Sequence, residues 1–431
     1  MGKGMIVNFS KIKESKLFCS AGVYTIGHIL NAALPFMLLP VLTRYLSPED
    51  YGITAMLTVL MGIYFPFVGL NLHGFVSVSY FKYRKDFPII VSTTFLLMIS
   101  SLLVAILVTY TYADVISSLS FFPCGWLWVI VCLCVTDFFV MVLQVIQQVK
   151  NHAKEYIVIQ VGQTLINLIL SLVLVVLLAM NWKGRILAQV LTGIIFTFIA
   201  FFLFRKWGLM KLQFNVMYAR KALAYGIPLI PHALCGVFIV AADRLLISKM
   251  VGLEEVGIFT VGASIGKGIE LLGSAFNNAF CPWLYAKLKD FDDGKDNDYR
   301  KVVRFSYTCM IGFLSIAVIY SLCMPYFLAF FVGQKFQEAS QYIIYFALSS
   351  ALHAIYYLVT NYIFYRQKTQ YLAMITFSSG GLHIGITYLL INAFGTIGAA
   401  YASVITQTVI TICTWWLGNK VYPMPWALWK R

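Results

Sequence analysis

The sequence predicts an all-α polytopic membrane protein: twelve transmembrane helices in two six-helix lobes related by a pseudo-two-fold axis, with a central cavity. Three observations carry this. The chain of 431 residues is 60% hydrophobic and only 11% charged, whereas a water-soluble domain carries about 25% charged residues. Apolar runs recur along its whole length, each long enough to cross a hydrocarbon layer of about 30 Å as a helix. One short phrase is also written twice, PVLTRYLSPEDYGI from Pro40 to Ile53 and LLISKMVGLEEVGI from Leu245 to Ile258.

The elements follow in order. A basic segment (Lys3, Lys11, Lys13, Lys16) precedes the first apolar run, and no small-residue cleavage site follows it. The run therefore reads as a retained helix and not as a signal peptide. Spans are expected at 17–43, 51–76, 87–109, 119–148, 156–181, 184–205, 222–250, 256–286, 304–331, 340–365, 370–392 and 395–418. Helices 4 and 8 are long enough to extend past the bilayer. The 34 Phe, 26 Tyr and 9 Trp suit a protein with aromatic residues near the membrane interfaces.

Basic residues set the orientation. Of the 32 Lys and Arg, Arg244 and Lys267 lie inside spans. Arg44, Lys183, Arg185, Lys249 and Lys335 fall in one set of loops, and the other twenty-five fall in the opposite set. The richer side is cytoplasmic, so both termini are expected there. The net charge of +15 is spread between apolar spans, which argues against nucleic acid as a partner. The nine cysteines are scattered without metal-ligand spacing and read as small hydrophobes.

The repeated phrase then has a place. Thr43-Arg44 matches Ser248-Lys249, Glu49-Asp50 matches Glu254-Glu255, and Gly52-Ile53 matches Gly257-Ile258. An offset of six helices preserves orientation, so the lobes are 1–205 and 222–431, joined by a cytoplasmic linker at 206–221. A second echo, GRILAQVLTGII from Gly184 and GTIGAAYASVIT from Gly395, supports the same division. Arg44 and Lys249 sit at helix C-termini and the paired acids at the following N-termini, as the helix dipole favours. Capping and lobe geometry is the main reading of the phrase, with substrate contact as the alternative. Gly52 and Gly257 are expected to permit close helix packing.

Several enzyme patterns fail. GASIGKG from Gly262 to Gly268 is one residue short of a phosphate loop, and no Ser or Thr follows its Lys. DFDDGKDNDY from Asp290 to Tyr299 resembles a calcium loop, but Lys289 stands where the first ligand belongs. No enzyme, metal or cofactor is expected.

Polar residues inside spans carry more, because each is costly unless it faces protein or water. Lys267, Glu270, Ser274, Asn277, Asn278 and Cys281 form one stripe in helix 8. Asp137, Gln144 and Gln148 form another in helix 4; Tyr24, His28, Asn31 and Pro35 form a third in helix 1. Helix 7 adds Asp243 and Arg244. Three stripes predict a wet cavity. Lys267, Arg244, His28, Asn31 and Asn277 are the expected substrate contacts, and Asp137, Glu270 and Asp243 the expected ion-coupling residues. A Lys267–Glu270 pair that only satisfies the helix is the alternative for those two. His232, His353 and His383 are expected to pack or hydrogen-bond.

LTRYLSPEDYGI, ADRLLISKMVGLEEVGIFTVGAS (Ala241–Ser264) and FFVGQKFQEA (Phe330–Ala339) resemble the Wzx-type polysaccharide flippases of the multidrug/oligosaccharidyl-lipid/polysaccharide exporter superfamily. The resemblance covers the whole chain and rests on the order of short motifs. Val256 and Phe259 depart from the family's usual residues. It implies translocation of an undecaprenyl-pyrophosphate-linked oligosaccharide, most commonly an O-antigen unit, from the inner to the outer leaflet. Membrane lipid, a coupling proton or sodium ion and an O-antigen polymerase are the implied partners. The rivals are a cation antiporter of the same superfamily, which favours an acidic and aromatic cavity, and a membrane polymerase or glycosyltransferase. The short outer loops count against the latter.

Overall fold

The computed structural model describes residues 36–150, 152–211, 213–366 and 368–427. Among them there is no strand, and ten helices are long and apolar enough to cross a membrane. In chain order the helices are α1 (Phe36–Tyr45), α2 (Pro48–Gly69), α3 (Leu72–Lys82), α4 (Phe87–Thr111), α5 (Ala113–Ser120), α6 (Trp128–Val149), α7 (Ala153–Ser171) and α8 (Asn181–Lys206). The order continues with α9 (Val216–Gly226), α10 (Leu229–Met250), α11 (Leu253–Gly266), α12 (Gly268–Asp292), α13 (Tyr299–Phe331), α14 (Ser340–Tyr365), α15 (Thr369–Phe394) and α16 (Ile397–Val421). The first expected span is described only from Phe36, so His28 and Asn31 lie outside the described residues.

Four expected helices are broken, each for a local reason. Helix 2 stops at Gly69 because Leu70 and Asn71 take positive φ of 47° and 49°, a conformation that ends a right-handed helix. The start of helix 4 is a separate short α5 followed by a 3₁₀ turn at Cys124–Trp126, with Pro123 between them and Phe121 at φ 55°. Helix 7 divides at Ile227-Pro228, where proline removes a backbone donor. Helix 8 divides at Lys267, which ends α11 and begins α12. There Gly266 lies against Phe346, whose Cβ would stand 2.5 Å from an added methyl. The Tyr320 hydroxyl donates to the Ile265 carbonyl at 2.7 Å, satisfying a carbonyl beside the break.

The chain forms two compact units, residues 1–46 with 60–234 and residues 47–59 with 235–431. In the first, Phe138 and Phe204 are fully buried against Phe95, with the Phe95 and Phe138 rings edge to face at 5.9 Å. Gly193 of α8 lets Thr136 of α6 approach to 2.5 Å from where a methyl would sit. The stretch expected as a linker, 206–221, is tied to α4 in this unit. Ser92 Oγ donates to the Leu209 carbonyl at 3.1 Å and accepts from the Lys211 amide at 3.0 Å. Asn215 caps α9 by accepting from the amides of Met217 and Tyr218. The Tyr218 hydroxyl donates to Asp86 at 2.6 Å; this bond to a carboxylate pushes its pKa up to about 12.

In the second unit, α14 packs beside α12, α13 and α16, and α11 lies against it as well. Both acidic pairs of the repeated phrase occupy first turns, Glu49-Asp50 in α2 and Glu254-Glu255 in α11, and Lys249 lies in the last turn of α10. Ser47 and Asp50 exchange hydrogen bonds of 3.0 Å in both directions. This is a reciprocal cap of the capping-box kind. The second copy differs: Gly252 precedes α11 at φ 144° without a side-chain cap, and Glu255 accepts from the Tyr342 hydroxyl of α14 at 3.2 Å.

Candidate functional site

Within the second unit α10, α11, α12, α14, α15 and α16 enclose a cavity of about 380 Å³. Four expected residues meet there: Asp243 and Arg244 from α10, Lys267 at the α11–α12 break, and Glu270 in the first turn of α12. The break explains how Lys267 is presented. A helix end leaves backbone groups without intrahelical partners and turns the side chain away from a continuous face. Lys267 is exposed, with Nζ 5.6 Å from the centre of the Phe346 ring, a cation–π contact. The alternative for these two residues, a Lys267–Glu270 pair, is not made: among the described residues no ion pair joins them, and the Glu270 amide donates to the Lys267 carbonyl at 2.9 Å.

Asp243 is 6% exposed and does not pair with its neighbour Arg244. Its Oδ1 lies 2.9 Å from Nε2 of His383, a residue of α15 with no exposed surface, and 3.3 Å from the Thr387 hydroxyl. His383 Nδ1 lies 2.9 Å from the Thr406 hydroxyl of α16. Arg244 donates to the Ala55 carbonyl of α2 at 3.3 Å. His353 of α14 reaches the same cavity and stacks on Tyr356. Both histidines were expected to pack or hydrogen-bond, and they do so: His383 bonds to Asp243 and Thr406, and His353 stacks on Tyr356. The signal available for His383 was an unpartnered carboxylate inside a span, Asp243, together with the i, i+4 pair of His383 and Thr387; neither identifies the other without the fold.

The remaining expected residues lie elsewhere. Asn277 accepts from the Asn361 side chain at 2.8 Å, a bond between α12 and α14, and does not line the cavity. The helix-8 stripe is thus divided: Lys267 and Glu270 face the cavity and Asn277 holds two helices together. Asp137 is half-buried midway along α6 in the first unit. Arg44 and Tyr45 line a separate hollow of about 410 Å³ against Leu172–Leu177, a π-helical turn that extends α7.

The cavity therefore joins two cations, two carboxylates and two imidazoles over an apolar wall that includes Phe259 and Phe346. Such a lining can hold a charged group.

A profile of the family described as "Polysaccharide biosynthesis protein" matches residues 41–341. An uncharacterized membrane protein of Haemophilus influenzae is 26% identical over 380 residues, covering 86% of this chain and 89% of its own. Two solved structures share the fold at 14% identity and a TM-score of 0.69. One is an inward-facing multidrug resistance MATE family transporter of the MOP superfamily, covering 90% of this chain and 94% of its own. The other is the lipid II flippase MurJ in an inward closed conformation, covering 93% and 87%.

Proposed function

Because the chain belongs to the polysaccharide biosynthesis protein family, we propose that it is a flippase for an undecaprenyl-pyrophosphate-linked oligosaccharide, with an O-antigen unit as the first candidate. It moves this cargo from the cytoplasmic to the periplasmic leaflet of a bacterial inner membrane by alternating access. Twelve spans, cytoplasmic termini and lobes at 1–205 and 222–431 belong to the same proposal, as do His28 and Asn31 as cargo contacts. So do a proton or sodium ion acting through Asp137, Glu270 or Asp243, and hand-over to an O-antigen polymerase.

One observation carries the reading: Lys267 and Arg244 both line a cavity in a chain of this family. A pyrophosphate accepts charge-assisted hydrogen bonds from such groups. The test is substitution at matched expression. Lys267→Ala should abolish surface polysaccharide, Lys267→Arg should retain part of it, and Glu270→Gln should be milder than Lys267→Ala. Normal surface polysaccharide in Lys267→Ala would refute the role. A second reading, export of organic cations, is favoured by the carboxylates of Asp243 and Glu270 on the same wall. It predicts loss of ethidium efflux in Glu270→Gln with surface polysaccharide unchanged.

A further inference from the structure

We propose that the neutral polar wall of the cavity in the second unit is a saccharide subsite, in which Thr260 and Gln407 recognise the sugar joined to the pyrophosphate. The inference rests on the flippase reading for its ligand and deepens it by assigning the residues that read the sugar.

Two polar atoms carry it. Thr260 of α11 lines the cavity and is 6% exposed, and among the described residues its buried hydroxyl has no hydrogen-bond partner. Gln407 of α16 lines the same cavity, and its buried amide nitrogen is likewise without a partner. Buried polar groups are nearly always hydrogen-bonded, because leaving one unpaired is costly. A ligand that supplies the missing bond offsets that cost. Neither atom has a protein bond to break, so a rotation within the side chain is enough to turn each one toward a ligand.

Their placement fits an elongated ligand that bears hydroxyls next to a charged end. Thr260 lies seven positions before Lys267, two turns away on the same face of α11 and about 10 Å along the helix. Ser403 and Gln407, four apart, share a face of α16, and Phe346 and Ser349, three apart, share one of α14. The two helices meet at this level, where the Ser349 hydroxyl donates to the Ser403 carbonyl at 3.5 Å. The wall therefore offers hydroxyls, which donate and accept, and one carboxamide, beside the Lys267 ammonium and the Phe346 ring. A sugar matches both parts: its hydroxyls donate and accept in turn, and its C–H face packs on an aromatic ring. An organic cation leaves Thr260 and Gln407 unmet. An ionised phosphate only accepts, and Lys267 and Arg244 are the groups that meet it. At about 380 Å³ the cavity is near the small end of ligand pockets, about 300–1,000 Å³, so it reads the sugar nearest the carrier and not a whole oligosaccharide.

The test titrates the full-length protein in nanodiscs with four lipids: undecaprenyl pyrophosphate bare, or carrying one glucose, galactose or N-acetylglucosamine. The parent should bind at least one sugar-bearing lipid about tenfold more tightly than the bare carrier, the effect of one to two hydrogen bonds. Thr260→Val and Gln407→Met keep the shape and remove the polar atom. Each should reduce that preference by about two- to tenfold, the range for one hydrogen bond, and leave the affinity for the bare carrier in place. Lys267→Ala should weaken all four lipids alike. Without lipid, both variants should survive heating in detergent as well as the parent, since no protein hydrogen bond is lost. A preference unchanged in both variants would overturn the proposal. So would an equal loss for the bare carrier, which would make the two groups phosphate ligands, and so would lower heat survival of both variants, which would assign them to the fold. A parent that binds the bare carrier without any sugar preference refutes the subsite alone, whereas failure of all four lipids to bind refutes the flippase reading and the subsite with it.

Discussion

Gly257→Ala should destabilise the protein strongly, and the repeated phrase is the reason. A methyl added to Gly257 in α11 would overlap the Pro48 carbonyl oxygen and stand 2.8 Å from its carbon and 3.1 Å from the Gly52 amide. Across the same contact a methyl on Gly52 would overlap the Leu253 carbonyl oxygen. The start of α2 thus lies backbone to backbone on α11 through both glycines of the phrase. Side chains move aside cheaply, but a carbonyl moves only with its helix. Overpacking a filled site costs about 1–3 kcal/mol, and a backbone obstacle belongs at the upper end. About 3 kcal/mol is a hundredfold change in the folded-to-unfolded ratio. Gly312 in α13 is the control, since an added methyl there meets nothing within 4 Å. Gly312→Ala should be neutral or should stabilise by about 0.4–1 kcal/mol, through reduced freedom of the unfolded chain. The assay is monodisperse protein remaining after a heating series in detergent. Equal survival of Gly257→Ala and Gly312→Ala would refute the reasoning.

Asp137→Asn removes a charge from the middle of α6 while keeping its shape, so transport in reconstituted vesicles should lose part of its pH dependence; an unchanged profile removes Asp137 from coupling. Cysteine labelling in a Cys-free background should reach positions 45 and 252 from outside whole cells and spare positions 206 and 294, and strong outside labelling of 206 would overturn the orientation. Asp296 is held below the ordinary carboxylate value of 3.8 by the Asp298 amide first and the Lys287 ammonium next, and Asp293 is held down by Lys295. Lowered folded values mean that this support is complete above the unfolded value and is lost as pH falls through the folded one. Hydrogen exchange of amides 293–301, corrected for intrinsic rate, should therefore be flat from about pH 8 to 5 and rise below about pH 4; equal protection at both ends would contradict this.

The membrane class, the positions of ten apolar spans and the helix-end placement of Glu49-Asp50, Lys249 and Glu254-Glu255 were legible in the sequence. These depend on local quantities: apolar length against bilayer thickness and charge against the helix dipole. Gly52 and Gly257 could be named as packing positions because the phrase repeats them, although their mutual contact could not. Tertiary structure decided the rest. Whether helix 8 runs straight through Lys267 depends on Phe346 pressing on Gly266 and on Tyr320 capping Ile265, residues some eighty and fifty-five positions away. The same break separates Lys267, which faces the cavity, from Asn277, which bonds to Asn361; a single stripe on one helix wheel holds them together. By sequence Asp243 was an expected coupling residue with no partner assigned to it. In the fold it meets His383, 140 positions along the chain, because a buried carboxylate takes whichever donor packing delivers within hydrogen-bonding distance, and sequence spacing carries no record of that distance.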